Sequence, residues 1–301
     1  MADDIAPIAD PDESAPPVGL YHAGVCLGGG ARFLAVDALA PALEIKRRHE
    51  LAGNASVLAA ESLVAALLMS AHVKGDERLT LQVFGEEPEF SFICDVNGDG
   101  TVRGRFSPQR MLPQRDFKGS IAVMKSLFRK ELYRSILDVR GETIEASLDR
   151  YLRTSQQVDA RVAVLAERDK KGNLIFAGGL LVERLPHMDA EAFAEAVDAE
   201  GGWDLKALLL GLAGIPGGDA RIAGDLEILG GLELRFACTC GPERVRAILR
   251  ATGHDELQAI LQEQGQASVN CHFCNSDYVV PGEELAAMLL DMAQQRPGGE
   301  A

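Results

Sequence analysis

The pattern of hydrophobic and polar positions divides the chain into a long first part, a glycine-rich middle and a short last part. In the first part, short runs rich in β-branched and aromatic residues predict strands, because such side chains suit a pleated, half-buried surface. Turns rich in glycine and asparagine separate several of these runs. The predicted strands are residues 20–27, 32–39, 79–84, 90–96, 101–106, 158–168 and 174–185.

Apolar residues at helical spacing interrupt these strands at residues 41–49, 55–73 and 144–154. The longest of the three predicted helices has almost no polar side, so we expect it to be buried against a sheet. Residues 107–141 have a less regular pattern, and no element is predicted there. Interleaved strands and helices predict an α+β domain, built as an α/β sandwich, over residues 18–186.

The middle of the chain, residues 187–235, has the pattern of short helical pieces broken by glycine. Nine glycines lie between Asp189 and Leu234, and glycine costs about 1 kcal/mol in a helix interior. The same stretch is apolar enough to dock on another surface. Its large apolar residues are Trp203, Leu208, Leu209, Leu210, Ile222, Leu226, Ile228 and Leu229. A helical, metastable linker is therefore predicted.

The last part, residues 236–295, has the pattern of a small helical domain with one hairpin. Helices are predicted over residues 244–252, 256–264 and 283–292, and the hairpin over residues 269–280. A domain of about 60 residues has a small core, and such domains usually need a metal or another staple to be stable.

Four cysteines are the candidates for stabilising this small domain. Cys238 and Cys240 form a C-x-C pair, and after thirty intervening residues Cys271 and Cys274 form a C-x-x-C pair. Thiolates are soft, negatively charged ligands, and four of them in two close pairs can surround one Zn²⁺ tetrahedrally. The C-x-C pair is cramped for a zinc-binding turn but can close as a small, strained disulfide. The spacing therefore indicates a metal site that oxidation can open, as well as a static structural one.

Composition argues against several classes of function. The net charge is −15, and nine acidic but four basic residues follow from Cys238 onward, which argues against binding nucleic acid. Residues 1–17 carry five acidic residues, four prolines and no basic residue, which predicts a disordered acidic tail and no signal peptide. A second short tail covers residues 296–301. The apolar runs are too short to cross a membrane. Six cysteines without an export signal indicate a reducing compartment, so we expect a cytoplasmic protein.

Motifs in order along the chain resemble one family, the redox-regulated holdase chaperones of bacteria known as the thirty-three-kilodalton heat-shock proteins. The most specific motifs contain the cysteines: Phe236-Ala-Cys238-Thr-Cys240-Gly-Pro-Glu243-Arg244-Val-Arg and Val269-Asn-Cys271-His-Phe-Cys274-Asn-Ser-Asp-Tyr278. The upstream motifs that fit are Lys74-Gly75-Asp76, Val102-Arg103-Gly104, Ser155-Gln156-Gln157 and Ala177-Gly178-Gly179-Leu180. The likeness extends over roughly residues 18–292.

The resemblance implies a stress-response chaperone that is inactive while it is reduced and holds one Zn²⁺ per chain on Cys238, Cys240, Cys271 and Cys274. Oxidants such as hypochlorous acid would form the disulfides Cys238–Cys240 and Cys271–Cys274 and release the metal. The last domain and the linker would then unfold, and the exposed surface would bind unfolding client proteins without ATP. Dimerisation accompanies activation in the family, so we expect a homodimer on oxidation.

The apolar linker residues are the candidate client-binding surface, hidden until the linker unfolds. An ordinary role in a hydrophobic core is the alternative. The candidates are Leu208, Leu209, Leu210, Ile222, Leu226, Ile228 and Leu229.

Two other functions remain open on the sequence alone. A zinc-stabilised scaffold or adaptor without redox regulation would need the same four cysteines. A thiol-disulfide enzyme would use Cys271 and Cys274 without metal, but its motif normally opens a helix, whereas a hairpin turn is predicted here. No Ser-His-Asp or paired-carboxylate arrangement stands out, so we expect no enzyme. His272 is a further candidate ligand, and Cys26 and Cys94 are expected to be small core residues.

Overall fold

The computed structural model describes residues 18–108, 112–128, 130–155, 157–198, 204–212, 218–219 and 226–294. The chain divides between Ala237 and Cys238 into two compact units. The predicted tails, residues 1–17 and 296–301, lie outside the described residues, as do the linker residues Trp203 and Ile222.

In the first unit, the described strands form one ten-stranded sheet. They are β1 (Gly19–Cys26), β2 (Ala31–Asp37), β3 (Glu77–Glu87), β4 (Glu89–Asn97), β5 (Thr101–Ser107), β6 (Phe117–Leu127), β7 (Lys130–Glu142), β8 (Ala160–Arg168), β9 (Leu174–Arg184) and β10 (Glu227–Phe236). Their order across the sheet is β7-β6-β3-β4-β5-β10-β1-β2-β9-β8. The described neighbours run antiparallel, apart from β5 and β10, which pair in parallel at the centre of the sheet.

Three helices form the main core with this sheet: α1 (Leu39–Arg48), α2 (Gly53–Met69), which a 3₁₀ turn (Ser70–His72) extends, and α3 (Ile144–Thr154). Helix α2 is buried from Ala55 to Leu68 on every side. It packs against β3 and β4 in one half of the sheet and against β8 and β9 in the other. The absence of a polar side in its sequence follows from this position between two apolar surfaces.

A second apolar cluster lies on the opposite face of β2 and β9. Residues alternate between the two faces of a strand, so Leu34 and Val36 point into the main core while Phe33 and Ala35 point into the second cluster. Two helices of the linker cover this second cluster, α4 (Ala190–Asp198) and α5 (Leu205–Leu212). The linker is therefore docked on the sheet in this structure.

The second unit contains α6 (Pro242–Ala251), α7 (His254–Gln264), β11 (Gln266–Asn270), β12 (Asp277–Pro281) and α8 (Gly282–Gln294). Its strands pair as an antiparallel hairpin. Its apolar cluster is small, with the buried residues Val245, Leu249, Leu257, Ala267, Tyr278, Val280, Leu285 and Met288. In neither unit does a described helix have both the length and the apolar character needed to cross a bilayer.

The predicted α+β class is confirmed, and the predicted helices and strands of the first and last parts lie within a few residues of the observed ones. Residues 107–141 differ, because they contain the β6–β7 hairpin, for which the sequence predicted nothing. Strand β7 is one edge of the sheet, and most of its positions are exposed, although Leu137 and Val139 are buried in the main core. Its first part, residues 130–136, shows no alternation of polar and apolar residues, and that explains why β7 was missed.

The helical prediction for the linker is confirmed for α4 and α5 but wrong for Glu227–Phe236, which is strand β10. The glycines Gly230 and Gly231, which suggested helix breaks, lie opposite Ala23 and His22 of β1. Glycine is acceptable there because the neighbouring strand supplies the backbone hydrogen bonds. The linker therefore contributes a central strand to the sheet as well as two covering helices.

Candidate metal centre

The four cysteines of the second unit come together in space. Each offers one sulfur, and the four sulfurs of Cys238, Cys240, Cys271 and Cys274 all lie within 4.8 Å of one another. The first two residues precede α6, and the other two occupy the turn between β11 and β12. Two segments that are thirty residues apart in the sequence thus meet at one point, as the spacing predicts.

The hairpin turn holds Cys271 and Cys274 by backbone hydrogen bonds. The amide of Asn275 donates to the carbonyl of Cys271 at 2.7 Å, and the amide of Cys271 donates to the carbonyl of Ser276 at 2.9 Å. Asn275 has a left-handed backbone with φ of 56°, a conformation that asparagine tolerates better than most residues. A tight turn of this kind leaves both thiols on its inner side, directed towards the same point.

Two close sulfur pairs cross between the two motifs. Sγ of Cys238 lies 3.7 Å from Sγ of Cys271, and Sγ of Cys240 lies 3.1 Å from Sγ of Cys274. None of these four cysteines is joined in a disulfide in this structure. Sulfurs that share one zinc ion tetrahedrally, each about 2.3 Å from it, lie about 3.8 Å apart. The spacing and the soft donor set therefore fit a single metal ion that prefers thiolates, and these four residues could bind one.

Two hydroxyl groups contact the sulfurs from outside the cluster. Oη of Tyr278 lies 3.1 Å from Sγ of Cys240, and Oγ of Ser276 lies 3.3 Å from Sγ of Cys274. The sequence motif contained both residues, but spacing alone did not predict either contact. Tyr278 is directed at Cys240 because β12 pairs with β11 in a fixed register, with Tyr278 opposite Val269.

Hydrogen bonds shift the pKa values within the cluster. Bonds from Cys238 and then from Ser276 lower the pKa of the Cys274 thiol to about 4, although partial burial acts in the opposite direction. The contact with Cys274 raises the pKa of Cys238, because the proton is held on that sulfur. Burial is the main cause that raises the pKa of Cys240. The arrangement therefore favours a thiolate at Cys274, the most buried of the four cysteines.

The other candidate ligand and the other cysteines lie apart from the cluster. His272 follows Cys271 directly but is exposed, and among the described residues the metal-binding group consists of the four cysteines. Cys26 and Cys94 are both fully buried in strands of the first unit. Their predicted place in the core is confirmed.

The candidate client-binding residues divide into two sets. Leu208 and Leu209 of α5 are buried in the second cluster, and Leu210 and Leu226 pack against it. Ile228 and Leu229 of β10 are instead 59% and 65% exposed. Ile222 lies outside the described residues. The docked linker therefore hides part of its apolar surface and leaves another part open.

Comparisons with known proteins agree with one another. The model of the Hsp33 protein family matches residues 21–281. The 33 kDa chaperonin of Bacillus licheniformis is 28% identical over 278 residues, which are 88% of this chain and 96% of the relative. The 33 kDa chaperonin of Bacillus subtilis is 27% identical over 263 residues, 81% of this chain and 89% of that protein.

A solved structure has the same fold. The crystal structure of the 33 kDa chaperonin from Thermotoga maritima matches with a TM-score of 0.75 and 23% sequence identity. The match covers 92% of this chain and 99% of that one. The arrangement of helices and strands described above is therefore shared with a protein of the same name as the sequence relatives.

Proposed function

Because the chain belongs to the Hsp33 family of chaperones, we propose that it is a redox-regulated, ATP-independent holdase. In this proposal the reduced protein holds one Zn²⁺ and is inactive. Oxidation forms disulfides, and the protein then binds unfolding clients and prevents their aggregation. The convergence of the four cysteine sulfurs within 4.8 Å of one another, with none of them in a disulfide, is the observation that carries the proposal.

Cys238, Cys240, Cys271 and Cys274 are the proposed zinc ligands. Bound zinc would keep the four sulfurs as thiolates and add a metal-binding free energy, on the order of 10 kcal/mol, to the folding of the small domain. The eight-residue buried cluster of the second unit is small for an independent domain. Its stability therefore depends on the state of the four sulfurs.

Oxidation is proposed to join Cys238 to Cys240 and Cys271 to Cys274. For each disulfide, two thiolates give two electrons in total to an oxidant such as hypochlorous acid. The S–S bond forms, the chlorine leaves as chloride, and the oxygen leaves as water after taking up one proton from solvent. A disulfide sulfur is no longer an anionic ligand, so each bond removes half of the ligand set.

Unfolding of the second unit is proposed to continue into the linker. Strand β10 ends at Phe236, two positions before Cys238, and the amide of Ala237 still donates to the carbonyl of Val102 at 2.8 Å. Loss of order after Cys238 would place this hydrogen bond at the end of the ordered chain, where a strand frays most easily. Undocking of α4 and α5 would then expose the cluster that contains Leu208 and Leu209.

The proposed client-binding surface consists of these linker leucines together with the exposed Ile228 and Leu229. Unfolding proteins expose apolar surfaces, and large apolar patches of this kind bind such surfaces.

We further propose a homodimer after oxidation and action in the cytoplasm, where thiols stay reduced until stress. The acidic charge of −15 supports neither a nucleic-acid nor a membrane partner, and no enzymatic reaction is proposed.

The test measures light scattering from a client protein that aggregates on heating. The full chain is added either reduced and zinc-loaded or after treatment with hypochlorite, and suppression only by the oxidised form is expected. A variant with Cys271→Ser and Cys274→Ser should lose zinc and no longer respond to oxidant, and it controls for oxidation of other residues. Equal suppression by both forms of the natural chain would instead indicate constitutive activity with structural zinc. Suppression by neither would favour a zinc-stabilised scaffold or adaptor.

A further inference from the structure

Tyr278 connects the sulfur cluster with the hydrophobic core of the second unit. Its side chain is 4% exposed and belongs to the buried cluster with Leu257, Val280 and Leu285. Its hydroxyl reaches out of that cluster to Sγ of Cys240 at 3.1 Å. One residue thus contacts both the sulfur cluster and the apolar core of the unit that oxidation is proposed to unfold.

The direction of this hydrogen bond follows from ordinary chemistry. A tyrosine hydroxyl is protonated at neutral pH and is a donor, whereas a metal-bound cysteine sulfur is a thiolate and can only accept. Hydrogen bonds to charged groups are stronger than those between neutral groups. A donor to a ligand sulfur also draws electron density away from that sulfur, which makes it less reactive towards oxidants.

We propose that Tyr278 is a positioning residue that fixes the Cys240 thiolate to the domain core and sets the oxidant threshold of the Cys238–Cys240 pair. This inference rests on the proposed zinc-binding redox switch. While Cys240 is a thiolate, it accepts the bond and is restrained. When Cys240 joins Cys238 in a disulfide, its sulfur becomes a weak acceptor, and a hydroxyl at the edge of the core loses its partner.

The test uses Tyr278→Phe in the full chain, because this change removes the hydroxyl and keeps the ring in the core. Zinc affinity, measured by competition with a chromogenic chelator, is expected to fall about 10-fold to 100-fold, as for other residues that support a metal ligand. Zinc release on adding hydrogen peroxide is expected to be several-fold faster. In this reaction two thiolates give two electrons to the peroxide, which takes up two protons and leaves as two water molecules.

Substitution of cobalt for zinc gives a measurement that would not change if Tyr278 had a purely structural role. With Co²⁺ in place of zinc, the sulfur-to-cobalt charge-transfer band reports the electron density on the sulfurs. Loss of the hydrogen bond to Cys240 should shift this band to lower energy in Tyr278→Phe. An unshifted band together with an unchanged rate of zinc release would overturn the inference.

Two variants serve as controls. Ser276→Ala removes the hydroxyl beside Cys274 and should also shift the cobalt band, which shows that the assay detects a lost donor. Val280→Ala makes a cavity in the same cluster, where Val280 is fully buried, and removes no hydroxyl group. It should lower the stability of the unit and leave the band in place. A band shift in Val280→Ala equal to that in Tyr278→Phe would show that packing alone is responsible.

The outcomes also separate this inference from the proposed function. A chain that releases zinc on oxidation but never suppresses aggregation would refute the holdase and leave the role of Tyr278 intact. A switch that works equally well in Tyr278→Phe, with the same zinc affinity, would refute the role of Tyr278 alone. A natural chain that binds neither zinc nor cobalt through sulfur would refute both.

Discussion

Arg161 of β8 is bound to Asp198, the last residue of α4, by two hydrogen bonds from its guanidinium group. Nε of Arg161 lies 2.6 Å from Oδ1 of Asp198, and Nη2 contacts the other carboxylate oxygen. The same guanidinium lies over the ring of Phe193, 5.7 Å from its centroid. The pair therefore connects the linker helix with the sheet at the border of the second apolar cluster, and it holds α4 in the docked position.

Replacing Asp198 with Ala should loosen α4 without unfolding the first unit. The carboxylate is 41% exposed, so the expected loss of docking free energy is small, about 1 kcal/mol or less. Hydrogen exchange of the α4 amides should become faster by a corresponding factor of about five. Asp138→Ala is the matched control, because Asp138 pairs with Arg140 on the exposed edge strand β7. Equal exchange in α4 for both variants would contradict a docking role for the pair.

The same pair predicts how linker docking depends on pH. The hydrogen bond from Arg161 lowers the pKa of Asp198 below its ordinary value, which is about 3.9 in an unfolded chain. A lowered pKa in the folded state means that the contribution is fully present above the unfolded value and is lost as the pH falls through the folded value. Docking of α4 should therefore not change between pH 5 and 8 and should weaken below about pH 4. In the Asp198→Asn variant, the protection of the α4 amides against hydrogen exchange should no longer decrease below about pH 4.

Leu208 of α5 should be essential for keeping the linker docked. It is fully buried in the second cluster, and truncation of a buried leucine to alanine costs about 2–5 kcal/mol. Leu208→Ala should therefore suppress client aggregation at lower oxidant concentration than the natural chain, or without oxidant. Leu212→Ala is the control, because Leu212 belongs to the same helix and is 41% exposed. If both variants keep the natural oxidant requirement, undocking of α5 does not control activity.

Elements that are specified by residues close to one another in the sequence could be predicted from the sequence. Helix α3 was predicted over residues 144–154 and is observed as Ile144–Thr154. It has a strongly amphipathic pattern, and the hydroxyl of Thr143 caps it by accepting from the amide of Ala146 at 3.2 Å. Helix capping and amphipathicity depend on neighbours in the sequence, so both can be predicted without knowledge of the tertiary structure.

Strand β10 and the contact of Tyr278 with Cys240 could not be derived in this way. Strand β10 forms by pairing with β1 on one side and β5 on the other. The residues near Gly230 in the sequence do not indicate that these two partner strands are present. The sequence did indicate that the four cysteines share a site, since their paired spacing limits the possible arrangements. Which side chains surround the sulfurs depends on the register of β11 against β12, and that register is a property of the folded unit.

Removal of metal should unfold the second unit and leave the main core of the first unit intact. The second unit has one small buried cluster, whereas the first has an extensive core around α2. A strong chelator added to reduced protein should therefore raise hydrogen exchange throughout residues 242–294. Amides of α2 should stay protected. Unchanged exchange in the second unit after complete loss of zinc would show that the four thiols do not control its folding.

Cys26 should report undocking of the linker through its reactivity with a thiol reagent. Both Cys26 and Cys94 are fully buried in this structure, but they belong to different clusters. Cys26 lies in the cluster that α4 and α5 cover, whereas Cys94 lies in the main core, where burial raises the pKa of its thiol above the ordinary value. If oxidation undocks the linker, Cys26 becomes accessible while Cys94 remains covered.

This prediction is checked by alkylating the protein after oxidation and identifying the modified cysteines by mass spectrometry. In the proposed oxidised state the four cysteines of the cluster are held in disulfides, so only the two remaining thiols can react. Modification of Cys26 but not of Cys94 is the expected result. In the Leu208→Ala variant, the reagent should modify Cys26 in the reduced protein as well. Modification of both would mean that the whole first unit unfolds. Modification of neither would mean that α4 and α5 stay docked after oxidation, and the client surface would then have to lie among residues that are already exposed, such as Ile228 and Leu229.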